Sequence, residues 1–179
     1  MAKKKYPKIY AFIDSQNLNL GTCKDIRNKN RKVLYKGWKL DFKKFWVYLN
    51  DKFRVKKAFL FIGYIKENKY LYRSLRQYGY ELVFKPTIKD KTGKLKGNID
   101  AELVLYAAAI EYKNYDKAII VSGDGDFRCL HEYLEQRNKL FKILIPNPHS
   151  ESSLLKDFQK FKSFVQFDRN KLEHKSIKK

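Results

Sequence analysis

Four aspartates carry the chemistry this sequence suggests. Asp14 follows the apolar run Tyr10-Ala11-Phe12-Ile13, and Asp124 and Asp126 follow Ile119-Ile120-Val121 in the segment Ser122-Gly123-Asp124-Gly125-Asp126-Phe127. Asp100 comes after Lys96-Gly97-Asn98-Ile99, where a helical pattern begins. Carboxylates gathered in one place repel and raise one another's pKa, a cost that a divalent cation removes. Hard oxygen donors with room for water suit Mg2+ or Mn2+, which can polarise a phosphodiester and activate water for its hydrolysis. Each aspartate alone also has a plainer use as a helix or loop cap, so the case rests on their convergence. Gly123 and Gly125 would let backbone pass close to a phosphate, and the N–H groups of the following helix start could hold it. Ser122 lacks a nucleophile elbow and is expected to orient Asp124 or the phosphate.

Other chemistries fit less well. An aspartyl-phosphate phosphatase needs a second acid two residues after the strand-end aspartate, where Gln16 stands. No GxxxxGK[ST] loop and no GxGxxG turn is present, which disfavours nucleoside triphosphatases and dinucleotide enzymes. His131, His149 and His174 have no zinc spacing, and His131 reads as a helix residue satisfied by its surroundings.

The elements that must position these residues follow from the hydropathy pattern. Strands are expected at 8–14, 57–64, 80–84, 118–121 and 141–145, with a further one at 164–167. Ser15-Gln16-Asn17 reads as a strand-to-loop exit, 21–37 as a basic loop, and 88–97 as a lysine-rich loop. Helices are expected from the Asp41 cap to Leu49, over 68–78 with Gly79 closing, from Ile99 to Ile110, over 127–137, and over 150–161 with Ser150 as cap. Strands alternating with helices give an α/β fold: one three-layer α/β/α domain over 8–168 with a mostly parallel sheet, flanked by basic, flexible termini at 1–7 and 169–179. In such sheets ligands bind beyond the strands' C-terminal ends, where Asp14, Asp124 and Asp126 fall, and all four acids are expected to face one crevice.

Charge names the class of partner. The chain has 40 Lys and Arg against 19 Asp and Glu, a formal net charge of +21 over 179 residues. A field of that size attracts polyanions, with nucleic acid ahead of an anionic membrane surface. The lysine-rich runs 24–32 and 85–96, including Lys85, Lys94 and Lys96, are expected to hold phosphates, with nearby Tyr and Phe available to stack on unpaired bases. No apolar stretch approaches the roughly 20 residues of a membrane span, and no export signal is visible at the N-terminus. Cys23 and Cys129 have neither disulfide-framework nor zinc spacing, which fits a reducing cytoplasm. A homodimer is left open.

Three segments, Phe12-Ile13-Asp14-Ser15-Gln16-Asn17-Leu18, Lys96-Gly97-Asn98-Ile99-Asp100 and Ile119-Ile120-Val121-Ser122-Gly123-Asp124-Gly125-Asp126-Phe127, resemble the NYN family of the PIN-like nuclease superfamily. The resemblance runs from Lys8 to Phe167. It implies a parallel sheet of order 3-2-1-4-5 and a metal-dependent ribonuclease acting on RNA, single-stranded or structured. Its acidic site corresponds here to Asp14, Asp100, Asp124 and Asp126, and Asn17 would hold metal-bound water or phosphate. Many relatives carry a further aspartate six residues after the one matched by Asp100, where this chain has Tyr106. Glu102 lies about 200° round the helix from Asp100 and substitutes poorly. The departure at Tyr106 keeps a second reading in play: an RNA-binding module of the same fold that cleaves weakly or not at all.

Overall fold

A computed structural model describes residues 6–85, 88–89, 95–96 and 100–175. In chain order the elements are β1 (Ile9–Asp14), α1 (Ser15–Cys23), β2 (Ile26–Arg27), β3 (Val33–Tyr35), α2 (Phe42–Phe53), β4 (Val55–Gly63), α3 (Lys69–Tyr78) and β5 (Tyr80–Lys85). They continue as β6 (Ile88–Lys89), β7 (Leu95–Lys96), α4 (Asp100–Leu105), β8 (Lys117–Val121), α5 (Arg128–Gln136), β9 (Leu140–Ile145), β10 (Lys162–Phe164) and α6 (Arg169–Leu172).

Six strands form one sheet in the order β10-β9-β8-β1-β4-β5, and every neighbouring pair is parallel. This is the expected 3-2-1-4-5 arrangement extended by β10, which pairs with β9 through Lys162–Phe164, slightly earlier than the sequence suggested. β1 lies in the middle, with Asp14 in register with Phe61 of β4 and Ile13 with Val121 of β8.

Both faces of the sheet are covered, as its uninterrupted apolar strands require. Ala11, Ile13, Leu60 and Val121 share one core with Leu18 of α1, Phe45 and Leu49 of α2 and Leu75 of α3. Tyr10, Phe12, Phe59 and Ile120 share the other with Leu103 of α4 and Leu130 and Leu134 of α5. The alternation follows from the two-residue period of a strand. Each fully buried side chain of this size stabilises the fold by roughly 1.5–3 kcal/mol.

The local signals held where a cap was written into the sequence. The Asp41 carboxylate accepts from the amides of Lys43 and Lys44 and starts α2, and Gly79, at φ 106°, ends α3. They failed where tertiary packing overrides periodicity. Ser15–Asn17 opens helix α1 and not a loop, because Asp14 caps it and Leu18 and Thr22, four residues apart, are both buried. The expected helix to Ile110 widens into a π-helical turn at Tyr106–Ile110. That change of phase carries Ile110 off the core, leaving it 52% exposed. Ser152, not Ser150, caps the next segment, a 3-10 helix over Ser153–Phe161 with a kink at Phe158. The basic stretch 21–37 holds the end of α1 and the hairpin β2–β3, and β6 pairs with β7 within 88–97. The far ends of both expected flexible termini, 1–5 and 176–179, fall outside the described residues.

Candidate metal and nucleic-acid site

Asp14 and the Asp124 turn leave the main sheet at the C-terminal ends of β1 and β8. At the end of β1 the chain turns at Asp14 (φ −73°, ψ 101°), and Oδ1 accepts from the backbone amides of Gln16 and Asn17, both at 3.0 Å. Those bonds satisfy helix donors that would otherwise be orphaned. They leave Oδ2 outside the cap. On the neighbouring strand, the buried Ser122 hydroxyl accepts from Asp124 N at 3.2 Å, and Asp124 Oδ1 in turn accepts from Asp126 N at 3.0 Å. Asp124 therefore caps the 3-10 turn Gly125–Phe127 as Asp14 caps α1. Asp100 is the first residue of α4.

Asp14, Asp100 and Asp124 line one cleft of about 560 Å³, together with Gln16, Asn17 and Lys24. Burial raises the pKa of Asp14 most, and Asp100 and Asp124 raise it further, against the lowering effect of the Asn17 and Gln16 amides. Burial likewise raises Asp100, followed by Asp124 and Asp126, while Lys85 pulls it down. Three acids distant in sequence are thus electrostatically coupled in one place.

Asp126 behaves differently from the expectation that all four acids share one crevice. It is exposed and does not line the cleft; with Asp100 it borders an adjacent groove walled by Ala101, Val104 and Leu105. The reason is its place one residue into the capped turn, which directs it outward while Asp124 is held by its cap.

Several neighbours take roles other than those expected. Asn17 Oδ1 accepts from Gly123 N at 2.9 Å, so it ties α1 to the β8 turn and leaves its amide NH2 for a ligand. Ser122 is fully buried, and its hydroxyl holds the Asp124 amide, in line with the expectation that it orients Asp124. Protein packs where side chains at Gly123 and Gly125 would be: a Cβ on Gly123 would stand 2.7 Å from the Ser150 carbonyl oxygen, and one on Gly125 would collide with Ser152 and Leu154. Lys85 ends β5 with its Nζ 3.3 Å from Glu102, so this Glu102 contact lies at Lys85 and Glu102 does not line the cleft. Tyr106 packs edge-on against Phe61 (5.4 Å between centroids) and tilted against Phe59 (5.8 Å). Lys94 and the segment Gly97-Asn98-Ile99 lie outside the described residues, and for Lys96 the backbone pairing with Ile88 is described but not the side chain.

Sequence reasoning missed one wall of the cleft. Ser150 lines it, held by its amide and hydroxyl on the Asn147 carbonyl at 3.1 and 3.0 Å. Asn147 is fully buried, accepts from His149 N at 2.8 Å, and donates its side-chain amide to the Gly21 carbonyl of α1. A further bond, Ser152 N to Gly123 O at 3.0 Å, fastens this segment to the β8 turn. The available signal was its position: Pro146-Asn147-Pro148 follows β9 at the same edge where the acids emerge. Asp25 was also passed over. It sits in the cleft wall, accepts from Gly37 N at 2.9 Å and pairs with Lys36 and Arg27, which fixes the base of the β2–β3 hairpin.

Among the described residues no group of three or more His, Cys, Asp or Glu side chains is placed to hold a metal ion by itself, so any bound ion would depend on fewer carboxylates and on water. An oxygen face completed by water suits Mg2+ or Mn2+, which keep several waters and bind through few carboxylates. The raised pKa values of Asp14, next to Asp100 and Asp124, and of Asp100, next to Asp124 and Asp126, are the stress such a cation relieves.

The model of the NYN domain matches residues 8–164 of this chain. The chain belongs to the NYN domain family. NYN domains are PIN-like nucleases, and the six-stranded parallel sheet between helices agrees with that fold. The NYN domain here is also similar in structure to a protein of unknown function from Vibrio parahaemolyticus, with a TM-score of 0.72, 26% identity, and coverage of 97% of this chain and 100% of the other. Comparison with curated proteins finds no match. Among the described residues of this NYN domain no helix is long and apolar enough to cross a membrane.

Proposed function

We propose that this NYN domain is a divalent-metal-dependent ribonuclease whose cleft hydrolyses RNA phosphodiesters. One observation carries the reading: Asp14, Asp100 and Asp124, from three separate segments, meet in one cleft, where Asp100 and Asp124 raise the Asp14 pKa and Asp124 raises that of Asp100. Asp14 through Oδ2, with Asp100 and Asp124, would hold Mg2+ or Mn2+, and Asp126 would add negative potential from the rim. The chemistry that cation supplies is polarisation of a phosphodiester oxygen and activation of water.

The protein's own groups do the rest. The cap bonds to Asp14 and Asp124 fix both carboxylates before substrate arrives, so no reorganisation is needed during the reaction. Asn17 offers its amide NH2 to a phosphate oxygen while its carbonyl locks the two turns together. Lys24 on the cleft wall and Lys85 beside Asp100 offset the phosphate charge that the acids would otherwise repel. Lys94 and Lys96 belong to the same basic stretch and would extend the phosphate contacts. Tyr106, packed into an aromatic corner, leaves the three acids to act without a carboxylate at that position. A net charge of +21 draws RNA to the surface.

The test is cleavage of end-labelled single-stranded RNA in Mg2+ and in Mn2+ by the wild type and by Asp124→Asn. Cleavage that needs the cation and disappears in the variant supports the assignment. Equal cleavage by both proteins would refute the site, and RNA binding with no cleavage by the wild type would favour a binding module.

A further inference from the structure

Beyond the cleft, on the β4–β5 side, the surface changes from acidic to basic and aromatic. Phe61 is the β4 residue opposite Asp14, and three residues further, about 10 Å along the chain, Tyr64 leaves the sheet. This exit is strapped down. Tyr64 N donates to the Lys85 carbonyl at 3.2 Å, Ile65 N donates to the Tyr72 hydroxyl at 2.7 Å, and that hydroxyl donates to the Gly63 carbonyl at 3.2 Å. The Tyr64 ring stacks on Tyr72 (5.9 Å, 27°) and meets Phe84 edge-on, yet remains 44% exposed. On the first turn of α3 stands Tyr70, 81% exposed. Its helical neighbour at i+3 is Arg73, Lys69 lies beside it, and Lys66 stands in the 3-10 turn Lys66–Asn68 that leads into α3. All three cations are exposed, and none forms an ion pair with another described residue. Glu67 is the one acid in the segment 64–77.

A tyrosine this exposed on a helix has no packing role in the fold. Beside three cations that form no ion pair with another described residue, it presents a flat apolar face with phosphate-binding groups around it. Unpaired bases stack on aromatic faces while Lys and Arg follow the backbone, and a duplex, with its bases already stacked, cannot use the rings.

We infer that the surface formed by Tyr64, Lys66, Lys69, Tyr70 and Arg73 is a track for single-stranded RNA passing over the β4–β5 edge from the carboxylate cleft, with bases stacked on Tyr70 and Tyr64. The inference rests on the cleft being an RNA site for the identity of the polymer. It makes the enzyme selective for unpaired RNA several nucleotides to one side of the cut.

The experiment measures binding in the Asp124→Asn background, so the strand stays intact. Three ligands of equal length are compared: a single-stranded oligonucleotide, the same backbone without bases, and a blunt duplex. Tyr70→Ala should weaken the single strand roughly tenfold and leave the abasic strand and duplex unchanged, and Tyr70→Phe should restore affinity, since stacking does not need the hydroxyl. Lys66→Ala combined with Arg73→Ala should weaken single and abasic strands alike and make the salt dependence shallower by about one unit per cation. Unchanged single-strand affinity in Tyr70→Ala overturns the track, as does an equal loss for abasic RNA. Loss of binding to phosphatidylserine vesicles with RNA affinity intact would also overturn it, in favour of a membrane face. Residual cleavage by Asp124→Asn would instead contradict the catalytic assignment, so the two failures are distinguishable.

Discussion

Asp14 and Asp41 begin helices in nearly the same way. Each sits in extended backbone, and each offers Oδ1 to the amides two and three residues on, at 3.0 and 3.0 Å for Asp14 and 2.9 and 3.1 Å for Asp41. Their surroundings differ. Asp41 borders a groove between α2 and α6 shared with Lys43, Lys44, Lys52 and Lys171, where Asp168 is already paired with Lys52 at 2.7 Å. Asp14 is buried in a cleft with Asp100 and Asp124, and its pKa is raised. The local bond geometry is shared, so what separates a structural cap from a site residue is which other charges the fold brings to the second oxygen.

Breaking this comparison at the cleft should give the largest effect. Asp14→Asn and Asp100→Asn should each lower RNA cleavage on the order of 10³-fold, while Asp41→Asn leaves the rate unchanged. Asp126→Asn, outside the cleft, should cost markedly less than either. Equal losses at Asp14 and Asp41 in single-turnover assays would mean that the cap, not the charge, is what matters.

Stability comparisons of these variants must be made near pH 7, because burial of His131 costs stability in acid. Its ring is fully buried against Phe158 at 5.4 Å, neither nitrogen has a hydrogen-bond partner among the described residues, and burial lowers its pKa to about 4. The unfolded chain therefore binds this proton more readily than the folded one. Stability is full above pH 6.5 and falls as pH drops toward 4, by about 3 kcal/mol across that window. Urea midpoints from pH 4 to 7 should show the slope in the wild type, and His131→Phe should remove most of it. An unchanged slope in the variant would assign the acid sensitivity elsewhere.

At pH 7, Asp41→Ala should lower unfolding stability by about 1 kcal/mol through loss of the cap, with cleavage intact. Asp14→Asn should act in the opposite sense. Because burial and neighbouring acids raise the Asp14 pKa above its unfolded value, the stability this proton confers is present in acid and lost as pH rises through the folded pKa. At pH 7 the charge is a net cost, and asparagine removes it while keeping the cap. The cation-free variant should melt slightly higher than wild type in calorimetry, a trade of stability for function.

The comparison also locates what was legible in the sequence. The strands, the Asp41 cap and the Gly79 stop could be read because each depends on residues close in the chain. Asp14 and Asp124 could be placed at strand ends and Asp100 at a helix start, and the family resemblance ordered the strands. Helix α1 could not be read, since Ser15–Asn17 looks polar until Leu18 and Thr22 are known to be buried. The reasons for Gly123 and Gly125 were equally hidden, because Ser150 and Ser152 approach them across long sequence separations. The π-helical turn at Tyr106–Ile110 left no mark in the periodicity.

The most direct test is the thermal response of wild type, Asp14→Asn and Asp41→Asn to Mn2+ at pH 7. A cation that binds only the folded cleft raises the melting temperature with the logarithm of its concentration once that exceeds Kd. The account predicts a concentration-dependent rise for wild type and Asp41→Asn and little or none for Asp14→Asn. No rise in the wild type, or the same rise in all three, would contradict it.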